Sequence, residues 1–235
     1  TIIFSIIISY LLIFVLTIIN LRQHIFLKIN KLWAKRLIGY GLYAMVGEMF
    51  FILLPILGKI FVNKYLEIKD VGIYNAYYFS SINIALFLYT VFMVVFFPMI
   101  SRRQDKSSIL NKIEKITPYL FIFGVPFLIF TQISILKIYG SFYVMDYFLM
   151  LLFAIAGILV SLFGLYIWFF YSMGISKARF VTLVTVAMFI VNIFLGNYFV
   201  KNFFELGAVF SVIVTFLIGL IVLLTYKTSV LNRDE

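Results

Sequence analysis

The sequence predicts an all-α, polytopic membrane protein of seven transmembrane helices, and three observations carry that reading. The 235 residues are 65% hydrophobic and only 12% charged, with a mean hydropathy of +1.15, more apolar surface than a soluble domain of this length can bury. The apolar runs are continuous over about 20 residues, the length of a helical crossing. A β-barrel alternates polar and apolar positions and is excluded. Finally, the Lys and Arg residues gather between alternate runs, as membrane topology requires.

The charge-free intervals define the elements in order. Residues 1–21 form the first span, inside which the sequence already begins, so we read the chain as lacking upstream helices. Residues 22–36 form a basic linker in which Phe26, Ile29, Leu32 and Trp33 interleave with Lys28, Lys31, Lys35 and Arg36. This pattern suits an amphipathic helix lying in the interface, and a plain solvated linker is the other reading. Residues 37–227 hold six further spans: 37–58, 71–101, 116–136, 147–176, 180–200 and 206–226, followed by a tail, 228–235. An outer loop, Asn63 to Asp70, joins the second and third spans. The third has 31 residues and must tilt or start in the interface. Pro55 and Pro126 lie within spans, where each frees a carbonyl and predicts a kink, a candidate gate. Pro98 falls one turn before a helix end, and Pro118 suits a first helical turn. Fourteen of the 19 Lys and Arg residues fall on one side, which is then cytoplasmic, with the first residue outside and the C-terminus inside.

Composition also narrows the chemistry. No cysteine and one histidine, His24, leave no thiolate or histidine metal site. The acids Asp70, Asp105, Glu114 and Asp146 are scattered among loop ends, and no metalloprotease or phosphate-loop motif occurs, so the reading is non-enzymatic with no cofactor. The net charge of +10 flanks apolar spans, which fits membrane lipids rather than nucleic acid.

Glu48 is the sharpest candidate for function. It lies 12 positions from Arg36 and 11 from Lys59, near the middle of the second span. A carboxylate at that depth costs about 2.5–3.5 kcal/mol on insertion scales unless it is paired, hydrated or protonated. Its face carries Gly41, Ala44, Met45, Phe51, Ile52 and Pro55, and the small residues allow close approach. It suits proton uptake or cation binding; a structural carboxyl bonded to a neighbouring helix stays open. Lys59, Asn83 and Gln132 are further candidates for the translocation path. Asn83, Gln132, Asn192 and Asn197 also serve as interhelical hydrogen-bonding groups. Tyr74, Tyr77, Tyr78, Tyr139, Tyr143 and Tyr147 suit an aromatic belt at the outer interface. Arg102, Arg103, Lys177 and Arg179 share the basic side; topology explains them, with phosphate binding as the minority reading.

Several pieces in order resemble the C-terminal half of a Wzx-type polysaccharide or O-antigen flippase, within the superfamily of multidrug, oligosaccharidyl-lipid and polysaccharide exporters. They are Val71-Gly72-Ile73-Tyr74-Asn75-Ala76, Phe97-Pro98-Met99-Ile100-Ser101, Ile138-Tyr139-Gly140 with Tyr143, Gly174 with Lys177, and Asn192 and Asn197 before Leu206-Gly207-Ala208. The resemblance covers residues 36–226. It implies two six-helix bundles around a central cavity, with this chain supplying the last helix of the first bundle and all of the second. It implies alternating-access flipping of a lipid-linked oligosaccharide across the cytoplasmic membrane, with H+ or Na+ as coupling ion and polysaccharide assembly enzymes as partners. Where relatives often carry an acid near the end of the first helix of this bundle, this chain has Gly58-Lys59. An ion-coupled small-molecule exporter of the same superfamily and a membrane-embedded glycosyltransferase or polymerase are the alternatives.

Overall fold

The structure, a computed structural model, describes residues 2–22, 30–103, 105–140, 143 and 145–231, and all regular structure among them is helical. The elements are α1 (Ile2–Leu21), α2 (Lys31–Tyr65), α3 (Ile68–Tyr78), a π-helical segment (Phe79–Asn83), α4 (Ile84–Arg102), α5 (Lys106–Tyr139), α6 (Tyr147–Tyr171) and α7 (Ile175–Leu231). Five helical stretches are long and apolar enough to cross a membrane: Lys31–Tyr65, Ile68–Arg102, Lys106–Tyr139, Tyr147–Tyr171 and Ile175–Tyr226, with Phe4–Asn20 as a shorter apolar helix.

The chain divides into two compact units, Thr1–Ile38 and Gly39–Glu235. In the first, Asn30 caps the start of α2, its Oδ1 accepting from the Leu32 and Trp33 amides at 3.0 and 3.4 Å. Lys31 to Arg36, expected in the linker, are therefore helical, and Arg36 lies 5.5 Å from the Trp33 ring centroid. The rest of the expected interfacial helix, including His24, Phe26, Lys28 and Ile29, lies outside the described residues.

In the second unit α6 is the hub. It is buried on most of its faces and packs against the π segment, α4 and α5 on one flank and α7 on the other. With lipid on the outside, close packing holds such a bundle together, and aromatic rings supply it here. Phe51 of α2 meets Tyr89 of α4, Phe163 of α6 and Phe216 of α7 at centroid distances of 6.1, 6.1 and 6.2 Å. The pairs with Tyr89 and Phe216 are edge-on, and such pairs each add about 0.5–1.5 kcal/mol beyond the area they bury.

Three boundaries differ from the sequence reading. The outer loop shrinks to Leu66 and Glu67, because Glu67 and Asp70 form a reciprocal cap at the start of α3. Helix α5 begins at Lys106 rather than near 116: Asp105 accepts from the Ser108 amide at 3.0 Å, and Lys106 to Lys115 are helical despite their charge. Charge marks where the apolar run ends, not where the helix ends. Pro118, expected in a first turn, accordingly lies well inside α5. Helices α2 and α5 run on past Pro55 and Pro126, which lie inside them. Within α7, Phe204 has non-helical backbone (φ 54°, ψ −134°).

That break falls between the expected sixth and seventh spans. Asn192 Nδ2 donates to the Ser211 carbonyl and Thr215 Oγ1 at 3.0 and 2.9 Å. In one straight helix Asn192 and Ser211 would stand about 28 Å apart, so the two arms of α7 fold back on each other. Gly207 permits the tight return, since a Cβ there would run into the Phe199 carbonyl.

The long third span contains a π segment, Phe79–Asn83. Widening the turn to i→i+5 frees a carbonyl, which cannot stay unsatisfied in lipid. Thr131 Oγ1 of α5 shares its proton between the Ser80 carbonyl at 2.9 Å and the Leu128 carbonyl of its own helix at 2.8 Å, and Ser161 Oγ of α6 shares its proton between the Ala85 carbonyl of α4 at 3.3 Å and its own Gly157 carbonyl at 3.0 Å. Gly157 lets α6 approach: its Cβ position is 3.2 Å from Ala85 Cβ.

Candidate functional site

Glu48 lies on the border between two faces of α2. Gly47, Phe51, Leu54, Pro55 and Gly58 are buried; Gly41, Met45, Met49 and Ile52 are exposed. The carboxyl is half-buried, yet its Oε1 is fully enclosed and has no hydrogen-bonding partner. Two phenols, Tyr89 from α4 and Tyr171 from the end of α6, lie within electrostatic reach of it. The Tyr89 hydroxyl is itself enclosed, beside the Trp168 indole.

Glycine explains how the rings come so close. The Tyr171 hydroxyl occupies the space of a Cβ at Gly47, and Thr182 Oγ1 is 3.1 Å from that point. Thr182 in turn donates to the Tyr43 carbonyl at 2.8 Å, tying α7 to α2. Eleven residues further on, the Tyr74 hydroxyl fills the corresponding space at Gly58. Close approach therefore uses Gly47 and Gly58 rather than Gly41, which faces open space.

The other candidates are dispersed. Lys59 is half-buried with Nζ 3.8 Å from the Tyr78 ring centroid. At 1.5 Å per residue it stands about 16 Å along α2 from Glu48, so the two do not pair. Asn83 closes the π segment with its side chain exposed, and it bridges no helices. Gln132 is fully buried; its Nε2 donates to the Met150 carbonyl at 2.9 Å, joining α5 to α6, while Oε1 lacks a partner. Pro55 is buried against the core and Pro126 is exposed. Asn197 accepts a short hydrogen bond from the Tyr65 hydroxyl, and Lys64 and Lys201 flank the Tyr65 ring at 4.8 and 5.3 Å. Lys177 is held at the other end by the Tyr226 hydroxyl at 3.3 Å.

Half of the expected aromatic belt is core instead. Tyr74, Tyr77 and Tyr78 are buried, and the Tyr77 hydroxyl accepts from the Asp146 amide at 2.9 Å, whereas Tyr139 and Tyr147 are exposed. Sequence reasoning missed Gly47, Tyr89 and Tyr171. The pairing of a glycine with an adjacent intramembrane acid was a signal for the first. Nothing in a single sequence connects the two tyrosines to position 48.

A protein family described as polysaccharide biosynthesis protein matches residues 1–144, more than half of the chain and the stretch that holds Glu48, Lys59, Asn83 and Gln132. No curated protein matches, and no solved structure does.

Proposed function

Because this chain belongs to the polysaccharide biosynthesis protein family, we propose that it is a non-enzymatic flippase, moving a lipid-linked oligosaccharide across the membrane by alternating access. In this reading Phe4–Asn20 and both arms of α7 cross the bilayer with the other four long helices, giving seven crossings, and the side rich in Lys and Arg is cytoplasmic. The single observation that carries the mechanism is the enclosed, unpartnered Oε1 of Glu48 at the middle of α2. Intramembrane acids without a partner are rare and mark ion or substrate pathways. Taking up a proton makes the group neutral, and binding a cation compensates its charge; either change alters its interaction with Tyr89 and Tyr171. Those two rings belong to α4 and α6, so the ionic state of one carboxyl bears on how α2 packs against the bundle. An equilibrium between packing arrangements shifts only as far as the ion binds one of them better.

The test is reconstitution with a fluorescent lipid-linked sugar, with and without a pH or Na+ gradient. Translocation that needs the protein, responds to one gradient and loses that response in Glu48→Gln supports the reading. Wild-type rates in Glu48→Gln and Glu48→Ala at every pH remove the carboxyl from the mechanism. Translocation unaltered by leaving the protein out removes the function itself.

A further inference from the structure

Helices α4 and α5 both pack closely on α6 but touch each other only sparingly, and between them lies a cleft of about 320 Å³. Its floor is formed by Ala85, Leu128 and Ile158, which with Ala154 make a hydrophobic cluster separate from the main core. Its walls are Phe92 and Phe96 of α4 and Ile116, Leu120 and Phe127 of α5, with the bare backbone of Gly124 between them. A Cβ at Gly124 would come within 2.5 Å of Ile158 Cδ1, so the absence of a side chain there lets α5 close onto the floor of the cleft.

The cleft has two unlike ends. One stops at the middle of the helices, at Ala85 and Leu128. The other runs along Ile113 and Ile116 toward the ends of α4 and α5, where Arg102, Lys112 and Lys115 are exposed. Lys112 is one helical turn from Ile116 on the same face. The nearby acid, Glu114, is half-buried and interacts with Tyr166 of α6. An apolar slot that opens toward helix ends carrying exposed Arg102, Lys112 and Lys115 is complementary to a molecule with an apolar chain and an anionic head.

We propose that this cleft seats one acyl chain of an anionic glycerophospholipid of the surrounding bilayer, its phosphate held by Arg102, Lys112 and Lys115. The chain lies along α5 and fills the space that α4 and α5 leave above α6, supplying packing contacts that the two helices do not give each other. The site is independent of the transport reading: it stands whether or not the protein flips an oligosaccharide lipid.

Native mass spectrometry of the full chain, released from detergent with equal phosphatidylglycerol and phosphatidylcholine of matched chains, tests it. The expected result is one phosphatidylglycerol retained at least fivefold over phosphatidylcholine. Gly124→Leu, which fills the slot, lowers retention of both at least fivefold. The triple change Arg102→Gln, Lys112→Gln, Lys115→Gln brings the two lipids to parity while the thermal melt stays unchanged. Should Gly124→Leu fail to fold, Leu120→Trp fills the same space from a half-exposed wall and carries the same expectation. Equal retention of the two lipids by the unaltered chain, or full retention by the filled variants, overturns the proposal. So does displacement of phosphatidylglycerol by an equal amount of polyprenyl phosphate, which would assign the slot to a carrier lipid.

Discussion

Replacing Gly47 with alanine tests the closest contact around Glu48. The added Cβ meets the Tyr171 hydroxyl, which fills that space, and it lies 3.1 Å from Thr182 Oγ1. Overpacking of this kind costs about 1–3 kcal/mol. Against it stands the better helix propensity of alanine, about 0.5–1 kcal/mol. Gly47→Ala alone therefore destabilises by up to about 2 kcal/mol, and at roughly 2–4 °C per kcal/mol for a chain of this size the melt drops by several degrees. Tyr171→Phe removes the obstructing oxygen. That hydroxyl makes a long 3.5 Å contact to the Ala44 carbonyl and also hydrogen-bonds with Thr182, so its loss alone costs about 0.5–1.5 kcal/mol, one ordinary hydrogen bond. With the oxygen gone, the nearest ring atom, Cζ, is 3.5 Å from the new methyl, an ordinary contact, and Thr182 can rotate. The double variant should then melt at or above Tyr171→Phe, a coupling of about 1–3 kcal/mol between the two positions. Fluorescence-detected melting of the four proteins in one detergent gives the cycle. If Gly47→Ala lowers the melt equally in both backgrounds, close approach of Tyr171 is not why position 47 is glycine.

Three further outcomes follow from the hydrogen bonds. Thr131→Val removes the donor to the Ser80 carbonyl at nearly constant shape and should cost about 0.6–1.7 kcal/mol, whereas Thr131→Ser should be close to neutral; the same melts read both. Asn192→Leu breaks both bonds joining the arms of α7 and should lower the melt more than Thr215→Val, which leaves the bond to the Ser211 carbonyl in place. Hydrogen bonds from the Ser108 amide and the Ser107 hydroxyl hold the Asp105 carboxyl below its usual range. Its capping contribution is thus fully present above the unfolded value of about 4 and is lost as pH falls through the folded value. Hydrogen exchange at Ser108 should quicken on acidification below about pH 4, and in Asp105→Ala it should lack that dependence beyond the intrinsic rate.

Hydropathy made the helical spans legible, because a run of 20 apolar residues has few other uses. It also placed Glu48 at mid-helix and put a boundary where α7 breaks. It misplaced the starts of α2 and α5, because Asn30 and Asp105 cap the helices well before the charges end. The tyrosines show the deeper limit. Tyr74, Tyr77 and Tyr78 follow one another near an outer end, so a belt was the economical reading. Only the positions of Gly58, Phe153 and Asp146 around them turn them inward. Tyr89 and Tyr171 come to Glu48 from 41 and 123 residues away, and no local pattern encodes such a meeting. The π segment was invisible for the same reason: Thr131, which reaches its Ser80 carbonyl, belongs to another helix.

The central place of α6 bears on how the protein is made. Helices α2 to α5 leave the ribosome before the rod they lean on exists, so on entering the bilayer each must wait, loosely paired, with Gln132 still lacking the Met150 carbonyl it donates to. One flank closes when Tyr147–Tyr171 slides in behind them, and the other only when α7 packs on α6. A chain released near residue 144 should remain open to protease and chaperone, and one released after α7 should close.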